Sequence, residues 1–301
     1  MLKSIKRFDL RKIKKYIGNI PFYKTIIQYD QDIEKATRQG LEYGVVKGTN
    51  ETYLFYLRDE TIPRAMFLLK KTYSEMEMRK FIKLTKKEYG LSRFGKEDIF
   101  VDAGANIGTT SIFFAKNIFP EMTYLAFEPD KLNHKILTIN AMLNDCANVV
   151  PEQTGLSDEK KKAVMKINET NRGNNKLCRE EYDTSGQYEY VETVAFDEYM
   201  ENKGIKDEQV KMIWMDVEGH EPYVILGMKK LLSRKRIPLF MELTPDLVEK
   251  KEIIRMLEVL SVKYRKYYIV EERAPMPSVS YDLNDTEPLF SIDQKCNVFF
   301  A

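Results

Sequence analysis

Residues 98–129 read DIFVDAGANIGTTSIFFAKNIFPEMTYLAFEP, and this stretch decides the fold. Ile99, Phe100 and Val101 form a short apolar run that stops at Asp102, and a glycine-bearing turn follows. Ile107, Ile112, Phe113 and Ala115 then recur as on one face of a helix. Beyond Pro120 a second apolar run, Tyr124 to Phe127, stops at Glu128. Strand, glycine turn, helix and strand, closing on an acid, make the front half of a nucleotide-binding α/β sheet.

The turn selects among nucleotides. A dinucleotide site asks for G-x-G-x-x-G, whose second glycine admits the pyrophosphate. Here Gly104 takes the first place, Asn106 the second and Thr109 the third, with Gly108 out of register. An NAD-dependent dehydrogenase is therefore disfavoured. S-adenosylmethionine (SAM) has no pyrophosphate and presents a carboxylate, an ammonium and a sulfonium. Asp102 at the strand end suits the cationic end, and Gly104 permits a close turn past the methionine part. The helix N-terminus suits the carboxylate. Glu128 is placed to accept the ribose hydroxyls, with Pro129 beside it. An acid ending each of two buried strands is costly without a partner, which argues against a turn that binds nothing.

The chain has 301 residues, 43% of them hydrophobic, enough for one large domain or one domain with an extension. Lys+Arg 48 nearly balances Asp+Glu 46, so no overall field points to nucleic acid. Cys146, Cys178 and Cys296 are too scattered for a metal set or a disulfide framework, which fits a reducing cytoplasm. No apolar run reaches membrane-spanning length.

Residues 1–20 are basic and amphipathic, with Leu2, Ile5, Ile13 and Ile17 placed to share a helix face and no signal-peptide core. They suit a solvated helix packed on the body or on a second subunit of a homodimer, or docking to an acidic membrane surface or substrate. A helix over 21–40, a hairpin through Val45-Val46 and Tyr53 to Leu57, and a helix over 62–89 complete an N-terminal α+β extension, residues 1–95. Residues 96–301 form the second unit. After Glu128 come a helix, a strand from Val149, and a turn at Gly155 to Asp158, where Ser157 or Asp158 is placed beside an adenine. Ala163 to Ile167 and Tyr188 to Val194 alternate as an inserted β-hairpin with a long polar tip. Arg172, Asn174 and Asn175 in that tip are candidates for contacting a polar substrate. Strands at 210–214, 239–243, 267–270 and 297–300 bring the total to seven.

The runs VDAGANIG, LAFEPD, GLSD, WMDVEGHEPYVILGM and FMEL, in this order over about residues 95–245, resemble the FkbM-type SAM-dependent methyltransferases. The resemblance implies an α/β fold: a seven-stranded, mostly parallel Rossmann-like sheet with helices on both faces. It also implies SAM as donor, with S-adenosylhomocysteine as product, and O-methylation of a hydroxyl on a sugar, glycan or other polar metabolite. By position, Asp102, Ala103, Gly104, Asn106 and Gly108 fall in the SAM turn and Glu128 on the ribose. Asp216 to Glu221 falls between cofactor and acceptor.

His220 is the first candidate for the general base, since a free imidazole titrates near neutrality. Asp216 stands with it as catalytic, and Glu218 or Glu221 is placed to orient it; the plainer reading has His220 cap the following helix. Asp216, Glu218 and Glu242 also allow a Mg²⁺ version, but they lack a ligand spacing, and no metal is assigned. DVEGHE stands where base-methylating enzymes carry Asn/Asp-Pro-Pro-aromatic, so a nucleic-acid partner is not expected. Nucleic-acid or protein methylation and a non-catalytic SAM-binding protein are the rivals.

Overall fold

Along β3 (Ile99–Ala103) every residue is buried, and successive side chains enter opposite faces of a sheet. A computed structural model describes this chain over residues 21–90, 93–178, 186–244, 247–271, 274–277, 279–291 and 295–301. The basic segment 1–20 and the tip 179–185 lie outside the described residues.

β3, β4 (Thr123–Phe127), β5 (Val149–Glu152), β10 (Val210–Met215) and β11 (Leu239–Leu243) pair in parallel. β14 (Cys296–Phe300) runs antiparallel between β11 and β12 (Lys266–Val270). With β13 (Tyr281–Asp282) at one edge, the order is β13-β12-β14-β11-β10-β3-β4-β5. The sheet thus has eight strands; the seven read from the sequence are joined at the edge by the two-residue β13 (Tyr281–Asp282). The direction of strand addition reverses between β3 and β10, and open α/β sheets bind ligands outside the carboxyl ends of the strands at such a point.

Both faces are covered. Phe100, Trp214, Phe240 and Phe299 lie under α3 (Glu75–Tyr89), whose Phe81 meets all four rings steeply tilted or edge-on at 5.8–6.2 Å. Each such contact contributes about 0.5–1.5 kcal/mol beyond area burial. Val101, Met215, Met241 and Phe300 share the opposite core with α6 (Phe196–Lys203), α7 (Glu221–Gly227), α8 (Lys229–Arg234) and α9 (Lys250–Ser261).

The segment before residue 95 takes part in the first core. α1 (Pro21–Arg38) leads to a hairpin, β1 (Tyr43–Lys47) and β2 (Thr52–Tyr56). Asn140 and Asn144 of α5 (Lys131–Leu143) and its C-cap hold β2 by its backbone, at 2.7 Å to Leu54 N–H and 2.7 Å from Thr52 O. The single helix expected over 62–89 is two, α2 (Ile62–Leu69) and α3. Lys70 turns left-handed (φ 55°) and closes α2 through its N–H on Met66 O, and Ser74 is left-handed too (φ 56°). The break places Tyr73 and Ser74 at the sheet's carboxyl end.

The inserted hairpin is present as β7 (Lys161–Ile167) and β9 (Gln187–Ala195), within a larger unit. Gly155–Ser157, expected as a turn, is strand β6 paired parallel to β9, and β8 (Lys176–Cys178) folds back on β7. The loop between β7 and β8 is tied to the N-terminal part by Glu60 N–H on Thr170 O (2.9 Å). No helix among the described residues is long and apolar enough to cross a membrane.

Candidate active site

At the end of β3, Gly104 has φ 83°, and a Cβ there would lie 1.9 Å from Asp216 O. Only glycine allows the turn to pass so close to the end of β10. Asn106 is also left-handed (φ 51°), a conformation asparagine tolerates. Its N–H donates to Glu128 Oε2 (2.8 Å), and Asp130 N–H donates to Glu128 Oε1 (2.8 Å). Burial, then the charge of Asp130, pushes the Glu128 carboxyl up to about 8 despite those bonds. Asp130 caps α5 through Asn133 N–H (2.7 Å) and receives Arg172 and Asn175 (3.1 Å) from the inserted loop.

Gly104, Asn106, Glu128, Pro129, Thr109 and Thr110 line a cavity of about 120 Å³, roofed by residues 171–175 and flanked by Thr61, Tyr73 and Ser74. Asn106 Oδ1 is covered and has no hydrogen-bond partner among the described residues. An orphaned acceptor beside a close glycine turn and a buried acid is the donor-seeking cradle a nucleoside ligand requires. The enclosed space is below the ~300–1,000 Å³ of small-molecule sites.

The second half stands at the ends of β10 and β11. One carboxylate oxygen from each of Asp216, Glu218 and Glu242 lies within 4.8 Å of the others. Lys295, just before β14, donates to Glu218 Oε1 (2.7 Å) and Glu242 Oε1 (2.5 Å). Asp216 Oδ1 is covered and unpartnered among the described residues. Burial, with Glu242 and Glu218 adding to it, holds the Asp216 carboxyl well above the usual range; Lys295 opposes the shift. Burial also raises Glu218, which sits left-handed (φ 53°). A bulky residue at that φ is a strained outlier of the kind that gathers at functional sites. Burial opposes the charge of Lys295, but Glu242, Asp216 and Glu218 outweigh it and keep its ammonium charged. A second cavity, of about 790 Å³, opens on the far side of Trp214, Asp216, Glu242 and Lys295, which line both.

The Methyltransferase FkbM domain matches residues 102–267, more than half of the chain. The chain belongs to the FkbM methyltransferase family. It is 26% identical over 157 residues to Methyltransferase 1 of Beauveria bassiana (strain ARSEF 2860), covering 46% of this chain and 62% of that protein. It is 39% identical over 70 residues to Methyltransferase sdnD of Sordaria araneosa, covering 23% of this chain and 27% of that protein. A crystal structure of Methyltransferase FkbM from Methylobacillus flagellatus KT aligns at 15% identity and a TM-score of 0.43, over 71% of this chain and 46% of that one. The chain thus spans less than two thirds of each of these relatives.

Within this FkbM domain several residues sit elsewhere than the sequence suggested. Asp102 is wholly buried and does not line the cavity. Its Oδ2 accepts from Ser111 N–H (3.1 Å) and Oγ (2.5 Å) at the start of α4 (Thr109–Asn117), and burial pushes it up to about 7. It therefore ties helix to strand rather than facing a ligand's cationic end. Ala103 and Gly108 likewise stand behind the lining; Gly108 (φ 89°) abuts Leu137. Ser157 is fully buried, because strand alternation turns it to α7 while Leu156 lines the cavity. Its Oγ meets His220 Nε2 at 2.9 Å. His220 is itself buried, packs on Tyr223 at 5.0 Å, lines neither cavity, and holds the N-cap position without a side-chain capping bond. The ring thus bridges β6 and the start of α7, outside both cavities, which is not where the sequence reading of a general base placed it. Glu221 binds the backbone N–H groups of Val217 (3.1 Å) and Gly219 (3.3 Å), shaping the loop instead of orienting an imidazole. Arg172 pairs with Asp130 and lines the cavity, and its Nε is covered with no partner among the described residues.

Lys295, Trp214, Tyr73 and Thr109 to Thr110 escaped sequence reading. Lys295 has no motif around it; only the antiparallel register, which sets Cys296 opposite Leu243 and Asn297 opposite Glu242, brings it to the acids.

Proposed function

We propose that this chain transfers a methyl group from SAM to a hydroxyl of a sugar, glycan or other polar metabolite. The observation that carries the reading is Asp216. Its covered, unpartnered oxygen stands on the wall between the cavity of the glycine turn and the larger cavity beyond. Gly104, Asn106, Glu128 and Pro129 would hold the cofactor, with the N-terminus of α4 offering Thr109 and Thr110. When bound, SAM supplies a methyl carbon on a sulfonium; the carbon–sulfur pair stays with sulfur as a thioether while the acceptor oxygen bonds the carbon.

The protein's work is alignment and proton removal. The larger cavity falls in the range of small-molecule sites, which favours a metabolite or short glycan over a duplex. Trp214, stacked on Phe240 at 4.1 Å, offers it a rigid aromatic wall. Asp216 takes the hydroxyl proton, and its raised affinity for a proton brings it closer to that task than a solvated aspartate.

The test is titration calorimetry of wild type and Glu128→Ala with S-adenosylhomocysteine, with NAD as control. Binding of the former alone, weakened about 10- to 100-fold by loss of the Glu128 hydrogen bonds, is the expected result. A folded protein that binds neither would sink the proposal. Labelled-methyl transfer to a panel of polyols then identifies the acceptor.

A further inference from the structure

We propose that Lys295 is the resident cation of this site, standing among Asp216, Glu218 and Glu242 where a divalent metal would otherwise be drawn. Its catalytic consequence rests on the methyl-transfer reading above; the ion-binding consequence does not. Three carboxylates with oxygens within 4.8 Å of one another repel unless a cation joins them. The chain supplies that cation covalently. Lys295 reaches Glu218 Oε1 at 2.7 Å and Glu242 Oε1 at 2.5 Å, using two of its three donors. The register of β14 on β11 fixes where it stands, so it arrives with folding instead of by diffusion.

The arrangement has a chemical logic. Magnesium demands a near-octahedral set of oxygens and keeps several waters, whereas an ammonium joins two carboxylates and brings none. With Glu218 and Glu242 committed to Lys295, Asp216 is the member of the trio whose oxygen has no partner among the described residues. Lys295 is thus a positioning residue: it holds the other two acids and leaves Asp216 to meet the acceptor. It lines both cavities, so its loss would be felt on either side of the wall.

The experiment compares wild type, Lys295→Ala, Lys295→Gln and Lys295→Arg for Mn²⁺ binding by calorimetry and for methyl transfer with and without EDTA. Wild type is expected to bind Mn²⁺ no more tightly than about 1 mM, the weak end of carboxylate cation sites, and to turn over unchanged in EDTA. Lys295→Ala is expected to bind Mn²⁺ at least about tenfold more tightly, and adding Asp216→Asn to it should abolish that gain. Its turnover should fall and recover in part with Mn²⁺, while Lys295→Arg retains turnover without metal. Tight Mn²⁺ binding by wild type, or loss of its turnover in EDTA, would overturn the proposal. So would a folded Lys295→Ala or Lys295→Gln that gains no ion and loses no turnover. If wild type methylates nothing in the panel, the methyl-transfer reading fails, and the Mn²⁺ arm still decides the role of Lys295.

Discussion

Two pairs of strand ends in this sheet carry acids, and the structure surrounds them differently. At the ends of β3 and β4, both Glu128 oxygens and one oxygen of Asp102 are bound by backbone N–H groups and by Ser111, and the other Asp102 oxygen is sealed in the core, lining no cavity. At the ends of β10 and β11, Asp216, Glu218 and Glu242 face one another across less than 5 Å, with Lys295 between two of them. A carboxylate held by fixed amides shapes a binding surface. A carboxylate left without a partner retains the capacity to accept a proton. On the proposed reading, Glu128 belongs to the cradle and Asp216 to the chemistry.

The strongest way to break this comparison is Asp216→Asn. Turnover should drop about 10²- to 10⁴-fold, the usual contribution of a positioned base. Affinity for S-adenosylhomocysteine should change by less than about threefold, since the cradle lies on β3 and β4. Initial rates with labelled SAM and calorimetry check the two halves. Unchanged turnover would move the proton acceptor elsewhere.

A smaller effect sharpens the cradle side. Glu128, raised to about 8, keeps its proton in the folded chain over a range where the unfolded chain, with a glutamate near 4.3, has lost it. The folded state then binds more protons, so the stabilisation is full below the unfolded value and is lost as pH rises to about 8. Asp102 and Glu221, each raised to about 7, act with the same sign. Glu128→Gln should therefore flatten the decline of melting temperature between about pH 5 and 8, by up to about 1.4 kcal/mol per pH unit at 25 °C. Equal slopes in wild type and variant would show that Glu128 is already ionised.

The smallest effect is expected at His220, which belongs to neither pair. His220→Gln should cost about 1 kcal/mol of stability through the Ser157 contact and leave turnover within about threefold. A hundredfold loss of turnover would restore the base role to His220.

Local patterns determined a great deal. The strand, turn and helix of residues 98–129 follow from apolar spacing and one glycine, and the seven principal strands from apolar runs. The turn residues Gly104, Asn106 and Glu128 are legible because strand alternation and the strand's end specify where they point. Residue types alone also marked Asp216, Glu218 and Glu242 as a group. The tertiary structure decided the rest. Asp102 and Ser157 are turned from the cavity to buried partners, Ser111 for one and His220 for the other. Lys295 joins Glu242 across 53 positions of sequence, through an antiparallel pairing that no local pattern encodes. Secondary structure follows from neighbours in sequence, whereas the partner of a charge follows from which strands lie side by side.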